Sequence, residues 1–121
     1  MKPETITIDD QKYVRADMVN QPAEQYNGMK YCIVRTYSAG VFAGYVESRN
    51  GQEVVVRKAR RIWYWAGAAS LSQLAVDGTR QPDNCKFPCE VDKVELLQVI
   101  EILVCTKKAQ ESIQEVKIWK Q

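Results

Sequence analysis

The residues of this sequence best suited to chemistry lie in one short run, in which four cations precede three aromatic residues. The cations are Arg57, Lys58, Arg60 and Arg61, and the aromatic triplet WYW occupies positions 63–65. Guanidinium groups form bidentate hydrogen bonds with phosphate oxygens, and an indole ring offers a flat surface on which a nucleobase stacks. The run therefore predicts a binding site for a flat, anionic ligand.

Strand geometry decides which of these side chains act together. If the run continues as a strand, alternate side chains share a face, and one face then carries Arg57, Arg61, Trp63 and Trp65. The following Ala-Gly-Ala would bring a helix N-terminus close by, whose N–H groups favour an anion. The predicted ligand-binding residues are Arg57, Arg60, Arg61, Trp63, Trp65 and Gly67.

A structural role for the same run is the alternative. In that interpretation the tryptophans pack in the core and the arginines pair across strands with carboxylates, namely Glu53, Glu90, Glu95 or Asp92. The sequence contains no G-x-x-x-x-G-K-S/T phosphate loop, the motif that would favour the binding role on its own. Both interpretations stay open at this point.

Two loops are weaker candidates for binding. The first is a predicted turn at residues 38–40, Ser-Ala-Gly, with Arg35, Tyr37 and Phe42 beside it. Its small residues would let a ligand or another backbone approach closely. The second is the irregular segment at residues 84–87, Asn-Cys-Lys-Phe, because binding residues often lie in such connections. Turn chemistry alone explains the first, and the second has no specific motif.

The sequence gives little support for catalysis. It contains no histidine, and histidine is both the commonest general base and the commonest metal ligand. The four cysteines are Cys32, Cys85, Cys89 and Cys105. They are predicted to be reduced thiols, with an all-cysteine zinc site as the alternative, although only one pair has a close C-x3-C spacing. We expect a protein that is not an enzyme and that needs no cofactor.

Length and composition predict one soluble domain with a short appendage. The chain has 121 residues, of which 45% are hydrophobic and 26% charged, and its formal net charge is +2. This charge is too small to indicate a general polyanion binder. The sequence has no apolar run near the ~20 residues that cross a bilayer and no signal peptide at its start. A soluble intracellular protein is therefore expected.

The N-terminal part is predicted to be an assembly element. Residues 4–15 alternate as two short strands about a polar turn at Asp9-Asp10, which predicts a β-hairpin over residues 1–16. A lone hairpin is marginal in water and must pack on the main domain or on a second copy. We therefore expect a homo-oligomer. Residues 17–30 are interpreted as a linker or an ordered surface loop.

Residues 31–121 are predicted to form a single α+β domain, with a twisted antiparallel sheet of about five or six strands and two short helices. YCIVRTY and VFAGYVES alternate, and Asn50-Gly51 predicts a type I′ hairpin turn. The next strand runs through EVVVRKARRIWYW, with a bulge or turn at Lys58-Ala59 as an option. The run from Val99 to Val104 is apolar on both faces and predicts a central strand.

Two helices follow from local signals. The first has Ser70 as its N-cap, Leu71, Leu74 and Ala75 at helical spacing, and Gly78 just beyond its end. The second begins after Thr106 and places Ala109, Ile113 and Val116 on one face. Trp119 is expected to pack back on the body of the domain.

A resemblance adds context. The segments RTYSAGVFAGYVESRNG, ARRIWYWAGAASLSQLA, CKFPCEVDKV and VIEILVCT resemble an uncharacterised family of small proteins from tailed phages and prophages, over about residues 31–119. The resemblance implies a viral protein that acts in the cytoplasm of a bacterial host. It implies no activity and no functional residues.

Three functions compete. The leading hypothesis is a non-enzymatic phage protein that binds a nucleotide-like anionic small molecule, as an anti-defence sponge for a host immune second messenger. The alternative is a structural or host-protein interaction module that uses the same WYW segment, because tryptophan, tyrosine and arginine dominate protein interfaces. Binding of single-stranded nucleic acid is third, since it needs a wider basic groove than a net charge of +2 suggests.

Overall fold

Five antiparallel strands and two helices form the domain, which is therefore an α+β fold. The computed structural model describes residues 21–121; the predicted hairpin at 1–16 lies outside them. The strands are β1 Lys30–Thr36, β2 Val41–Asn50, β3 Glu53–Arg61, β4 Glu90–Leu96 and β5 Val99–Val104, and the helices are α1 Leu71–Asp77 and α2 Lys107–Glu115. The sheet order is β4-β3-β2-β1-β5.

The connection between β4 and β5 forces the sheet to curl. These strands lie at opposite edges of the sheet, yet only Leu97 and Gln98 join them. The edges of a flat five-stranded sheet would be about 19 Å apart, whereas three peptide steps span at most about 11 Å. Backbone hydrogen bonds hold the connection at one end of the curl: Val99 N–H donates to the Gln52 carbonyl at 3.0 Å.

The curled sheet has a separate core on each face. The helices cover one face, where Ile33 and Ala43 pack against Leu74 and Ile113. The other face encloses a second core, which contains Val34, Phe42, Val54, Val56, Leu96 and Val99. Because β1 and the first half of β2 contribute to both cores, they are buried on both sides.

The prediction that residues 99–104 form a central strand was wrong. Among residues 21–121, β5 pairs only with β1 and lies at an edge of the sheet. Ile100 and Val104 are 45% and 57% exposed. An apolar run shows that a segment avoids charge, but it does not show how many neighbours cover it.

The turn between β2 and β3 is where the sequence predicted it, but its type differs. The connecting residues are Gly51 and Gln52, and Gly51 alone in this turn has a positive φ, 64°. A type I′ turn at Asn50-Gly51 would need positive φ at both of those residues. A positive φ at the first of two connecting residues is instead the pattern of a type II′ turn.

Both predicted helix starts are confirmed. The Ser70 hydroxyl accepts a hydrogen bond from Gln73 N–H at 3.2 Å, and Gly78, with φ 75°, follows the last residue of α1. The Thr106 hydroxyl accepts from Ala109 N–H at 3.1 Å. These caps satisfy N–H groups that have no partner inside the helix.

Residues 21–29 are ordered against α2 and the end of β5. Ala23 N–H donates to the Cys105 carbonyl, and Glu24 N–H donates to Gln110 Oε1 at 2.9 Å. Pro22 and Thr106 form an isolated antiparallel bridge. This part of the segment therefore has the character of an ordered surface loop.

Two buried thiols make stability sensitive to alkaline pH. Burial raises the pKa of Cys32 from its ordinary 9.0 to about 11, and that of Cys105 to about 12. Because the unfolded thiols lose their protons first, stability is fully present below pH 9 and is lost as the pH rises toward 11–12. Between pH 8 and pH 10 we expect the free energy of unfolding to fall by about 2 kcal/mol. Urea unfolding at the two pH values measures the change.

The matched control replaces both thiols, Cys32→Ala with Cys105→Ala. The alkaline loss should then shrink to the part contributed by other groups. An equal loss with and without these thiols would contradict their assignment as the source.

Candidate functional site

A β-bulge separates the predicted cations onto different faces of the sheet. Tyr45 pairs with Arg57 but Ala43 pairs with Arg60, so one extra residue lies on β3 opposite Gly44. Lys58 is the extra residue of this bulge, and its φ is 49°. The bulge option at Lys58-Ala59 is therefore confirmed, and it shifts the alternation by one position.

The predicted shared face of Arg57 and Arg61 is corrected by this bulge. Arg57 pairs with Tyr45 on the helix-covered face, while Arg61 pairs with Phe42, whose side chain belongs to the opposite face. β3 also ends at Arg61, so the tryptophans do not continue its alternation. Only Tyr64 of the WYW triplet forms a bridge, with Lys86.

Arg57 is engaged by two carboxylates at the surface. Its guanidinium lies 2.9 Å from Glu47 Oε1 and 3.3 Å from Asp92 Oδ2. The hydrogen bond to Glu47, with the charge of Asp92, raises the pKa of Arg57. Pairing with Asp92 is one of the structural contacts that the sequence left as the alternative to ligand binding.

Arg60 is buried, and its guanidinium holds backbone carbonyls from two segments together. It is 6% exposed, and its guanidinium donates to the carbonyls of Pro88 at 3.0 Å and Ile113 at 2.9 Å. The same group donates to the carbonyls of Phe87 and Val116, at 3.1 and 2.6 Å. Through these contacts Arg60 ties the end of α2 to the segment before β4.

Arg61 belongs to a groove that joins two of the predicted candidates. Its guanidinium lies 4.4 Å from the centre of the Phe42 ring and donates to the Ala39 carbonyl. A groove of about 250 Å³ is lined by residues 38–41, Arg61, Ile62, Trp63 and Trp65. We call it the hairpin groove. It brings the Ser-Ala-Gly turn against three of the six predicted ligand-binding residues.

Gly67 has a conformational role. Its φ is 83°, and its carbonyl accepts a hydrogen bond from Arg80 N–H at 3.1 Å. A Cβ atom at this position would lie 2.6 Å from Thr79 Oγ1 and 2.7 Å from Arg80 N. Two N–H groups near the start of the following helix are also occupied, since Ala69 N–H donates to Gln73 Oε1 at 2.7 Å and Gln73 N–H donates to Ser70 Oγ at 3.2 Å. These two groups are therefore not free to bind an anion.

Three extended segments form a second surface beside the groove. Tyr64 bridges Lys86 in antiparallel fashion, and Phe87 bridges Ile118 in parallel fashion. Trp119 N–H donates to the Phe87 carbonyl at 3.0 Å. Residues that follow β3, precede β4 and follow α2 thus lie side by side, and the predicted packing of Trp119 on the body is confirmed.

Aromatic rings and ammonium groups meet on this surface. The rings of Trp63 and Trp119 are stacked, with planes 9° apart and centroids 6.5 Å apart. Lys86 Nζ lies 5.6 Å from the centre of the Trp119 ring and 5.9 Å from that of Tyr64. Trp63 is 63% exposed. We call Trp63, Tyr64, Lys86, Lys117 and Trp119 the aromatic–lysine face.

The lysines of this face are its charged groups. Lys86 and Lys117 are exposed, and neither forms a salt bridge with a carboxylate of residues 21–121. The Lys86 ammonium group lies over the rings of Tyr64 and Trp119 in cation–π contact. The face therefore offers stacking surface and positive charge together, which the arginine run was predicted to provide.

Sequence reasoning placed only part of this face. Trp63 was predicted as a site residue, and Tyr64 lay in the same triplet. Lys86 lay in the irregular segment 84–87, which was a weaker candidate for binding. Trp119 and Lys117 were missed as site residues. The signal was the C-terminal segment Lys-Ile-Trp-Lys, in which a tryptophan stands among lysines; its proximity to Trp63 depends on the tertiary fold.

Residues 21–121 place no three Cys, Asp or Glu side chains where they could hold a metal ion. The four cysteines are free thiols, of which Cys89 alone is exposed. In the same residues, no helix is long and apolar enough to span a membrane.

The described residues form a small α+β domain that presents the aromatic–lysine face. Residues 29–113 match the model of a family described as a domain of unknown function, DUF6948, and the chain belongs to that family. The matched range includes Trp63, Tyr64 and Lys86 and ends before Lys117 and Trp119. No similar curated protein was found, and no similar solved structure was found.

Proposed function

We propose that this protein is a non-enzymatic binding module that takes a planar, anionic ligand of the nucleotide class on the aromatic–lysine face. The observation that carries the proposal is the nearly parallel pair of the exposed Trp63 and the half-buried Trp119, with the Lys86 ammonium group 5.6 Å from the Trp119 ring. Stacking of a base on an indole contributes about 1–3 kcal/mol. An ammonium group beside the rings is placed to neutralise a phosphate.

The charged residues of the proposed site are lysines, whereas the sequence predicted arginines. The charge of Arg57 is balanced by two carboxylates, and Arg60 is buried against backbone carbonyls. Arg61 remains close to Trp63 in the hairpin groove. A ligand stacked on Trp63 would therefore have lysines on one side and Arg61 on the other.

The size of the face favours a small ligand over a nucleic-acid strand. Binding of a strand needs a positively charged groove that follows several phosphates, whereas this face supplies two lysines and the chain has a net charge of only +2. The more specific role, sequestering a host immune second messenger on behalf of a phage, rests on the sequence resemblance alone. Binding without turnover is what such a role requires.

A second candidate function is protein interaction at the end of the sheet where the hairpin groove lies. Tyr37 and Leu97 are 77% and 66% exposed there, and the Tyr37 N–H donates to the Gln98 carbonyl, which holds the two loops together. Exposed aromatic and aliphatic anchors are typical of interface centres. This candidate uses residues outside the aromatic–lysine face, so the two functions are separable by substitution.

Substitution of Trp63 by alanine is expected to weaken nucleotide binding by about tenfold or more, because it removes one stacking partner. Lys86→Ala should weaken binding of the nucleotide but not of the matching nucleoside, since only the phosphate needs its charge. Tryptophan fluorescence and calorimetry, with a panel of linear and cyclic mononucleotides and dinucleotides, measure both effects. Tyr37→Ala is the control, because it removes an exposed aromatic residue away from the face.

The outcomes separate the hypotheses. An absence of binding by every nucleotide at millimolar concentration would contradict the proposal. Equal losses in Trp63→Ala and Tyr37→Ala would also contradict it, because a general change in the surface would then explain both. Tight binding of an oligonucleotide with a steep salt dependence would favour the nucleic-acid alternative.

A further inference from the structure

The two edges of the sheet differ sharply in charge. The edge strand β4 carries Glu90, Asp92, Lys93 and Glu95 among its seven residues. Such charges on an edge discourage pairing with another chain. The opposite edge strand, β5, has the sequence VIEILV and carries only Glu101. One edge is therefore protected against strand addition and the other is not.

The side chains of β5 leave an apolar stripe at this edge. Ile100 and Val104 are exposed, and Ile102 between them is partly buried against the enclosed core. The charge of Glu101 is already engaged, since Arg35 Nε lies 2.9 Å from its carboxylate. Within residues 21–121, the outer side of β5 has no partner strand. This combination is typical of an edge that accepts another strand.

We infer that β5 pairs antiparallel with β5 of a second copy of this chain, and joins two sheets into one continuous sheet. An occupant of this edge must be largely apolar and must not bring unpaired charge. β5 itself meets both conditions, whereas the charged β4 does not. A two-fold axis perpendicular to the sheet also keeps each helix-covered face on the same side.

The charge pattern excludes one register, and the exposed apolar side chains favour another. Under such an axis, facing residues have the same parity, so the pair is centred on a residue. Centring on Glu101 would place two like charges directly opposite each other, which is destabilising. Centring on Ile102 places Ile102 opposite its copy and Ile100 opposite Val104 of the second copy. The two most exposed apolar side chains of the strand then cover each other.

The space beside β5 can accept the second strand. A groove of about 510 Å³ is lined by the tip of the β2–β3 hairpin and by residues 99–102. In the register centred on Ile102, Val104 of the second copy faces Ile100, which lines this groove. The paired strands would thus bury apolar surface in addition to forming backbone hydrogen bonds.

A single cysteine tests the register. Cα atoms of facing residues in an antiparallel pair are about 4.5–5.5 Å apart, within the range that a disulfide bridges. Ile102→Cys in a Cys89→Ser background should form a covalent dimer under mild oxidation, read by intact mass. Val91→Cys in the same background is the matched control, because it lies exposed on the β4 edge and should stay monomeric.

Substitution by lysine tests the association itself. Ile100→Lys is expected to raise the dissociation constant of the dimer by about tenfold or more, because each added charge would face the apolar Val104 of the second copy and lose water at the seam. Val91→Lys should leave it unchanged. Ile100 is exposed, so circular dichroism should show an intact fold. Sedimentation of the full chain measures the association.

Three results would overturn the inference. One is a covalent dimer yield for Ile102→Cys no higher than for Val91→Cys. Another is a wild-type chain that stays monomeric at every concentration. The third is slow amide exchange along β5 that becomes fast only when Ile6 and Ile8 are both replaced by lysine. That result would show that the N-terminal segment of the same chain, and not a second copy, covers β5. Nucleotide binding by Ile100→Lys reports on the proposed function separately.

Discussion

Arg60→Ala is expected to lower the free energy of unfolding by about 3–5 kcal/mol, the range for breaking a buried charged network. The guanidinium holds carbonyls from Phe87, Pro88, Ile113 and Val116 and lies 5.5 Å from the centre of the Phe87 ring. Truncation leaves these buried acceptors without donors and leaves a cavity. The melting temperature should fall by about 10 °C or more.

Arg57→Ala is the matched control, because the same side chain on the same strand is paired at the surface. An exposed ion pair contributes about 0–1 kcal/mol, so this variant should remain close to the wild type. Arg60→Lys should recover part of the loss, since an ammonium group reaches fewer carbonyls than a guanidinium. A loss of unfolding free energy for Arg60→Ala as small as that for Arg57→Ala would contradict the stabilising role of the Arg60 hydrogen bonds.

Gly67→Ala should cost about 2–4 kcal/mol, because two effects add. A φ of 83° is strained for any residue with a Cβ atom. The new Cβ would also lie 2.7 Å from Arg80 N, a backbone atom that cannot move without shifting the chain. Denaturant unfolding of the full chain measures the loss.

Gly28→Ala separates the two effects. Its φ is 80°, close to that of Gly67, but a Cβ there would have no atom within 4 Å. It should cost about 1 kcal/mol from backbone strain alone. If Gly67→Ala were no worse than Gly28→Ala, the close approach of residues 79–81 to Gly67 would be contradicted.

Local signals in the sequence were sufficient to predict the elements of the fold. The N-caps Ser70 and Thr106 and the glycine at position 78 act through hydrogen bonds and φ angles within a few residues. The alternation in β1 and β2 reflects the pleat of a strand. Such features depend on the chain nearby and are visible without the tertiary structure.

The face that each cation occupies could not be predicted in the same way. One extra residue at the bulge reverses the alternation, and the bulge depends on Gly44 of the neighbouring strand, where a Cβ would meet Val56 and Arg57. A change of one position moves every later side chain to the other face. The predicted set of Arg57, Arg61, Trp63 and Trp65 therefore divided in the folded protein.

The position of β5 and the aromatic–lysine face depend on long-range contacts. β5 reaches the far edge because the short Leu97-Gln98 connection closes a curled sheet. Trp119 reaches Trp63 because the segment after α2 pairs with Phe87. Composition identified the aromatic and basic residues, but only the topology decided which of them meet.

The indole N–H signals of the three tryptophans test the central claim most directly. A nitrogen-15 NMR titration of the full chain with a mononucleotide follows Trp63, Trp65 and Trp119 separately. Binding on the aromatic–lysine face predicts that the signals of Trp63 and Trp119 shift together while that of Trp65 stays in place. Shifts of Trp65 with an unmoved Trp119 would place the ligand in the hairpin groove, and no shift at millimolar nucleotide would contradict nucleotide binding altogether.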